Sequence, residues 1–288
     1  AGPDSRLLRA VLEPACPVPF VAWPAPALPG WAGSLDLVVV LAPDGADPGT
    51  ASAVAEAVRR GCQVVVACPE SSLVAEHAGG RDTTVLPVQT RDQLAIAVTV
   101  LSLLDRAGLG PSADPEQVAD ALDAVAMASS PHRELTVNPA KMLAIALADA
   151  DPLLWGGSVL AARAARRVAE SFRRATGRAA LAGDAEHLLP VLEATRPRNV
   201  FDDPFADPST TSGQAASSRR PVLVLLDDGT EDPVLREERQ RLTAAADAHG
   251  VRVEVLSAES GSDVARYAEL LLAGRYAAEY LQLGLVED

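Results

Sequence analysis

The sequence predicts an α/β protein built from two doubly wound parallel-sheet domains, and three observations carry the prediction. Short apolar, β-branched runs alternate with longer helical patterns along most of the 288 residues, the order that builds a parallel sheet with helices on its faces. The alternation restarts after a helical stretch near the middle of the chain. In the second half, a buried-type strand, a tight glycine turn and a helix start follow one another within residues 151–190. The expected boundaries are 1–110 for the first domain, 111–130 for a helical linker and 131–288 for the second domain.

The opening residues, AGPDSRLLRAVL, read as a strand-to-helix loop already under way. They predict a sequence that begins inside its first domain, with an upstream strand and helix missing; a frayed terminus fits the same residues. Residues 20–22 read as a short strand and the proline-rich 24–29 as a loop. LDLVVVL at 35–41 is a continuous β-branched run and predicts a strand buried on both faces. A helix over 50–60 should end at Gly61, strands should lie at 63–67 and 84–88, and a long helix over 91–107 should end at Gly108. Ser71 and Ser72 either cap a following helix or touch a ligand, capping being the plainer reading. The linker reads as mostly helical, and TVNPAKMLAIALA at 136–148 opens the second domain.

There, residues 152–155 predict a strand and Gly156-Gly157-Ser158 a turn into a helix over 159–176. Ala165, Val168 and Phe172 share the face expected to pack on the sheet, with Arg163, Arg166, Arg167 and Glu170 on the other. Arg163 and Glu170 are two turns apart, on one stripe. The turn is a generic anion site, because unpaired N–H groups and the helix dipole point at it. After Gly183, Asp184 is the expected N-cap of a second helix carrying His187. Residues 199–218 are poor in apolar side chains and predict a surface loop. A strand at 222–226, a helix over 233–249, a strand at 251–256 and a helix over 263–285 complete the second unit.

Composition narrows the function. A net charge of −14 argues against nucleic acid or an anionic membrane as partner. No apolar run is long enough to span a bilayer and no signal-peptide pattern is present. Three cysteines without zinc-type pairing, Cys16, Cys62 and Cys68, suit reduced thiols, hence a cytoplasmic setting. Aromatics make up 3% of the chain, so alanine, valine and leucine must fill the cores. Asp227-Asp228-Gly229-Thr230 after a strand looks like an aspartyl-phosphate phosphatase motif. That chemistry needs carboxylates two residues apart facing one metal, and here they are adjacent.

Two segments carry a family resemblance. Ala169-Glu170-Ser171-Phe172-Arg173 and Asp184-Ala185-Glu186-His187 stand where the SIS (sugar isomerase) phosphoglucose/phosphomannose isomerases have N-E-N-A-K and then E-x-N-H. Residues 151–190 thus resemble the second half of that family, as do Asn138-Pro139-Ala140-Lys141 and the helix at 269–283. The resemblance implies two flavodoxin-like SIS domains, aldose–ketose isomerisation of a glucose-, fructose- or mannose 6-phosphate, no cofactor or metal, and a homodimer. It implies that Glu170 moves the proton and His187 opens the sugar ring. Arg163 is an electrostatic partner by position. Read without the resemblance, Glu170 is an exposed partner of Arg166 or Arg167, worth a few tenths of a kcal/mol.

The substrate-binding positions that the resemblance and the turn suggest are Ser5, Gly45, Thr50, Gly156, Gly157, Ser158 and Arg163. The family's hydroxyl-rich S-x-S-G-x-T-x-E-T loop is APDGADPGT at 42–50 here. Gly45 and Thr50 survive, but Asp44 and Asp47 replace hydroxyl donors. A carboxylate about 4 Å from a phosphate costs on the order of 4 kcal/mol per charge pair at an effective dielectric near 20. The family's lysine near the C-terminus has no counterpart, since Lys141, the only lysine, lies in another motif. Two functions therefore follow: a sugar-phosphate isomerase with a modified site, or a non-catalytic SIS protein that binds a carbohydrate derivative as sensor or partner subunit.

Overall fold

A computed structural model describes residues 3–25, 27–195, 219–258 and 261–286, and the backbone alone of residues 3–5 and 286. The predicted loop at 199–218 lies outside the described residues. The chain divides into two compact units, Ala1–Pro115 and Glu116–Asp288.

Unit 1 holds α1 (Pro3–Leu12), β1 (Leu37–Leu41), α2 (Pro48–Arg59), β2 (Gln63–Cys68), α3 (Leu73–His77), β3 (Thr83–Pro87) and α4 (Gln93–Arg106). Its strands form a parallel sheet in the order β1-β2-β3. The central strand β2 is the buried one: Val64 and Val66 pack with Val54 and Ala57 of α2 and Val74 of α3. The sequence expectation for LDLVVVL is corrected here. β1 begins at Leu37, Leu35 is fully exposed, and each β1 residue is only half-buried. The reason is position, because β1 pairs with β2 alone among the described residues. Residues 20–22 form no strand. Leu7, Leu8, Val11 and Leu12 recur at helical spacing and bury α1 on α4. Ser72 caps α3, its hydroxyl accepting from the Ala75 amide at 3.2 Å, which decides between its two readings in favour of the cap.

Unit 2 holds α5 (Pro115–Ala128), α6 (Pro139–Ala146), β4 (Ala150–Gly156), α7 (Val159–Thr176), β5 (Leu181–Ala182), α8 (Ala185–Glu193), β6 (Arg220–Asp227), α9 (Pro233–Ala248), β7 (Arg252–Ser257) and α10 (Asp263–Val286). Its sheet is parallel throughout, in the order β5-β4-β6-β7. The two-residue β5 was not legible as a strand in the sequence.

The Asn138-Pro139-Ala140-Lys141 run has a structural explanation. Asn138 is fully buried; its Oδ1 accepts from the Lys141 amide and its Nδ2 donates to the Ser130 carbonyl, both at 3.0 Å. Pro139 takes the first helical turn, where a missing N–H costs nothing. The Lys141 ammonium donates to the carbonyls of Pro131 (2.7 Å) and Arg133 (2.8 Å) and lies over the Tyr280 ring. Tyr280 in turn donates to the Ser129 carbonyl at 2.6 Å. The chain's one lysine thus pins the α5–α6 connection to α10.

α7 spans the predicted residues and ends at Gly177 in the left-handed conformation. It packs on β4 beneath and on α10 alongside. Gly274 makes the second contact close, since a Cβ there would collide with the Val168 side chain. Two neighbours widen the buried face beyond the predicted stripe. Arg163, expected on the solvent side with Arg166 and Arg167, is only 8% exposed.

Candidate functional site

The strand order of unit 2 reverses between β4 and β6. From β4 the chain passes through α7 to β5 on one side; β6 then pairs on the other side and leads through α9 to β7. Their carboxyl ends are level, Trp155 opposite Leu225 and Gly156 opposite Leu226. Helices leaving a sheet in opposite senses open a crevice at that point, where doubly wound sheets hold their ligands. Here it is a cavity of about 280 Å³ between the Gly157-Ser158 turn, the Asp227–Glu231 loop and the start of α9.

Ser158 does two things in this crevice. Its hydroxyl accepts from the Ala161 amide at 3.0 Å as N-cap of α7, and donates to the Asp228 carboxylate across the gap. Asp227 is held by Arg239 of α9, while its other oxygen accepts from the Gly229 amide at 3.0 Å. Thr230 turns its amide to Asp228 at 3.3 Å. Arg236, exposed on α9, makes no ion pair among those of the described residues. Of the predicted positions, Gly156, Gly157 and Ser158 form or border this crevice. Asp227, Asp228, Thr230 and Arg236 were not predicted. The signal for them was an Asp-Asp-Gly-Thr run closing one strand beside a strand that closes in Gly-Gly-Ser.

Glu170 lies elsewhere on α7, twelve residues past Ser158, about 18 Å of helix rise at roughly 1.5 Å per residue. One carboxylate oxygen meets Arg167 and the other Arg174, both at 2.5 Å. The side chain is 31% exposed, Arg174 is the more open partner and Arg167 the more buried. Arg163 is not among these partners. His187, on the first turn of α8, is 77% exposed, with its Nδ1 at 4.0 Å from Asp184. Asp184 stands at the N-cap position, as expected, but bonds no helix amide. Its carboxylate instead faces Arg166 of α7 at 3.6 Å. That ion pair joins α7 to the start of α8, whereas Glu170 itself bonds Arg167 and Arg174.

In unit 1, the loop between β1 and α2 uses its polar groups on itself. Asp47 is the N-cap of α2, and its Oδ2 accepts from the Thr50 amide (2.7 Å) and the Thr50 hydroxyl (2.6 Å). The Thr50 hydroxyl, then the amide, hold the Asp47 carboxyl below the usual carboxylate range. Asp44 pairs with Arg91 at 2.9 Å in the open. Gly45 has φ +60°, and a Cβ added there would collide with the Ser72 side chain. The backbone of Ser5 is in α1, and its side chain is outside the described residues. No helix among the described residues is long and apolar enough to cross a membrane.

Residues 136–285 match the family of the bacterial phospho-glucose isomerase C-terminal SIS domain. No curated protein matches the sequence. Among solved structures, the chain is similar to the tagatose-6-phosphate ketose/aldose isomerase from Escherichia coli, at 14% identity and TM-score 0.60, covering 88% of this chain and 71% of that one. It is similar to a glucose-6-phosphate isomerase like protein from Thermus thermophilus, at 15% identity and TM-score 0.51, covering 90% and 84%. It also resembles the C-terminal domain of glucosamine-fructose-6-phosphate aminotransferase from Francisella tularensis, at 13% identity and TM-score 0.52, covering 88% and 73%. At such identities the structural likenesses bear on the fold alone.

Proposed function

Because the chain belongs to the bacterial phospho-glucose isomerase C-terminal SIS domain family, we propose that it is an aldose–ketose isomerase of the phosphosugar type. Its substrate would be a glucose-, fructose- or mannose 6-phosphate, turned over by a modified site. One observation carries the reading: the matched residues, 136–285, include both Glu170 on α7 and His187 on α8.

The chemistry asks for one base and one ring-opening group. His187 relays the proton between the ring oxygen and the anomeric hydroxyl, giving the open chain. Glu170 takes the C2 proton of the aldose while O1 gains a proton, leaving an enediol, and returns the proton to C1 while the O2 hydroxyl gives up its own, giving the ketose. No electron leaves the substrate, so no cofactor is called for. Both Glu170 oxygens are held by Arg167 and Arg174, so the base works once one arginine lets go. Arg174, the more exposed of the two, is the one to swing away, and its guanidinium can then meet the negative charge that develops on the enediol oxygens. In unit 1, the Thr50 amide and hydroxyl are already engaged by Asp47, so the loop at 42–50 has little left to offer a phosphate. A homodimer and a cytoplasmic setting belong to the same proposal.

The test is a coupled assay with fructose 6-phosphate and mannose 6-phosphate. Glu170→Gln should lower kcat by about 10²–10⁴-fold with KM nearly unchanged, since only the proton acceptor is lost. His187→Ala should impair cyclic substrates more than open-chain analogues. No turnover of either sugar by the unaltered protein, or full turnover by Glu170→Gln, sinks the reading.

A further inference from the structure

We infer that the crevice between the carboxyl ends of β4 and β6 is a second binding site, built for an uncharged polyhydroxyl ring such as a sugar without phosphate. The inference stands apart from the isomerase reading, because Glu170 lies about 18 Å along α7 from the crevice mouth.

Place and size come first. The crevice sits where the strand order of unit 2 reverses, which is where open parallel sheets take small molecules. Its volume of about 280 Å³ falls just under the ~300–1,000 Å³ typical of small-molecule sites, which suits a ligand of monosaccharide size. Trp155, Leu226 and Leu235 contribute its apolar wall; Ser158, Asp228, Thr230 and Arg236 contribute polar groups.

Electrostatics then choose among ligand classes. An anion would ordinarily seek the start of α7, with its free amides and positive dipole end. That place is already spoken for, since Ser158 accepts from the Ala161 amide and gives its own proton to Asp228. The Asp228 carboxylate and Glu231 outnumber Arg236, the one cation of the lining unpaired among the described residues, and would repel a phosphate. A metal ion is no better served: Asp227 is neutralised by Arg239, and no group of three metal-type ligands occurs among the described residues. Hydroxyl groups fit every remaining valence. Asp228 has lone pairs left to accept, Arg236 has N–H groups to donate, and the Thr230 hydroxyl does either. Alternating donors and acceptors beside an apolar wall suit a sugar ring, which is hydroxylated at its edge and apolar on its C–H face.

The experiment is titration of the full chain, ¹⁵N-labelled, with D-mannose, D-glucose and inorganic phosphate, followed by amide chemical shifts. A neutral hexose should move the Gly157, Ser158, Gly229 and Thr230 amides saturably, and phosphate should not. Asp228→Asn should weaken hexose binding tenfold or more, and Thr230→Ala, at an exposed position, several-fold. Glu170→Gln should leave the titration unchanged, so loss of isomerase activity and loss of this site are separately readable. The inference is overturned if neither hexose moves these amides, if phosphate moves them as readily, or if both crevice variants bind hexose like the parent. Should Asp228→Asn fail to fold, the Thr230→Ala titration decides alone.

Discussion

Two loops in this chain are variants of one design, one in each unit. Each leaves the carboxyl end of a parallel strand (β1 or β6), carries an Asp-Gly pair, and enters a helix through Asp-Pro. Gly45 and Gly229 both have positive φ, +60° and +72°. Asp47 and Asp232 are both helix N-caps with proline at the next position, accepting from the amides of Thr50 and Val234 at 2.7 Å each. The difference is in what the loop faces within its own unit. In unit 1 the glycine is pressed against Ser72 and Pro69 of the β2–α3 connection. In unit 2 nothing lies within 4 Å of a Cβ added at Gly229, and Asp228 reaches across an open crevice to Ser158. A loop that fills its own opening becomes scaffold, whereas the same loop across a gap becomes the wall of a site.

The sharpest way to break that comparison is at the two glycines. Any L-residue at positive φ costs roughly 1–2 kcal/mol, and overpacking adds about 1–3 kcal/mol. Gly229→Ala bears only the first cost; Gly45→Ala bears both, for a total of about 2–5 kcal/mol. Urea unfolding of the full chain should show the larger midpoint loss for Gly45→Ala. Equal losses would mean the Ser72 contact yields freely, and unit 1 would then have an opening like that of unit 2.

Removing the two caps gives the next effect. Asp47→Ala and Asp232→Ala should each lose about 1 kcal/mol. Only Asp47→Ala frees a threonine amide and hydroxyl at a helix start, and with them a place for phosphate. Fructose 6-phosphate should therefore raise the Tm of Asp47→Ala clearly, by up to about 2.7 kcal/mol of stabilisation at a hundred times Kd. It should move the unaltered protein little and Asp232→Ala no more than that. A large shift in the unaltered protein would show that Asp47 does not obstruct phosphate.

Much of this was readable in the residues. Alternating apolar runs marked the strands, and Gly61, Gly108 and Gly177 end or follow the helices they should, all three with positive φ. The bounds of α7 were legible because its Ser158 cap and Gly177 stop are local signals. Arg163 reads as solvent-facing in the sequence, because its burial depends on α10, which is about a hundred residues away in sequence and packs against α7. The LDLVVVL run reads as doubly buried because β-branching reports strand character, while burial depends on how many strands pair with it. The crevice was half legible. Gly156-Gly157-Ser158 stood out, but Asp228 gains its meaning only when β6 pairs with β4 across 70 residues of chain.

The smallest effect separates the loops by acid. Asp47 has its carboxyl held low by the Thr50 hydroxyl first and the Thr50 amide second. Its folded pKa is depressed relative to the unfolded value, near 3.9 for a free aspartate. The stability it contributes is therefore present above that unfolded value and is lost as pH falls through the lower folded value. Thr50→Val removes the hydroxyl and keeps the amide, so the folded pKa should rise toward the ordinary range and the acid-linked loss should shrink. Carboxyl NMR titration of Asp47 reads the first change directly. The second appears as a narrower gap between urea midpoints at pH 6 and pH 3 in Thr50→Val than in the unaltered protein. In unit 2 the residue two places past Asp232 is Val234, which offers its cap an amide and no hydroxyl, so Val234→Ala should leave that gap unchanged. A Thr50→Val protein whose Asp47 titrates as before would show that the hydroxyl is a bystander, and that the two caps differ in surroundings but not in strength.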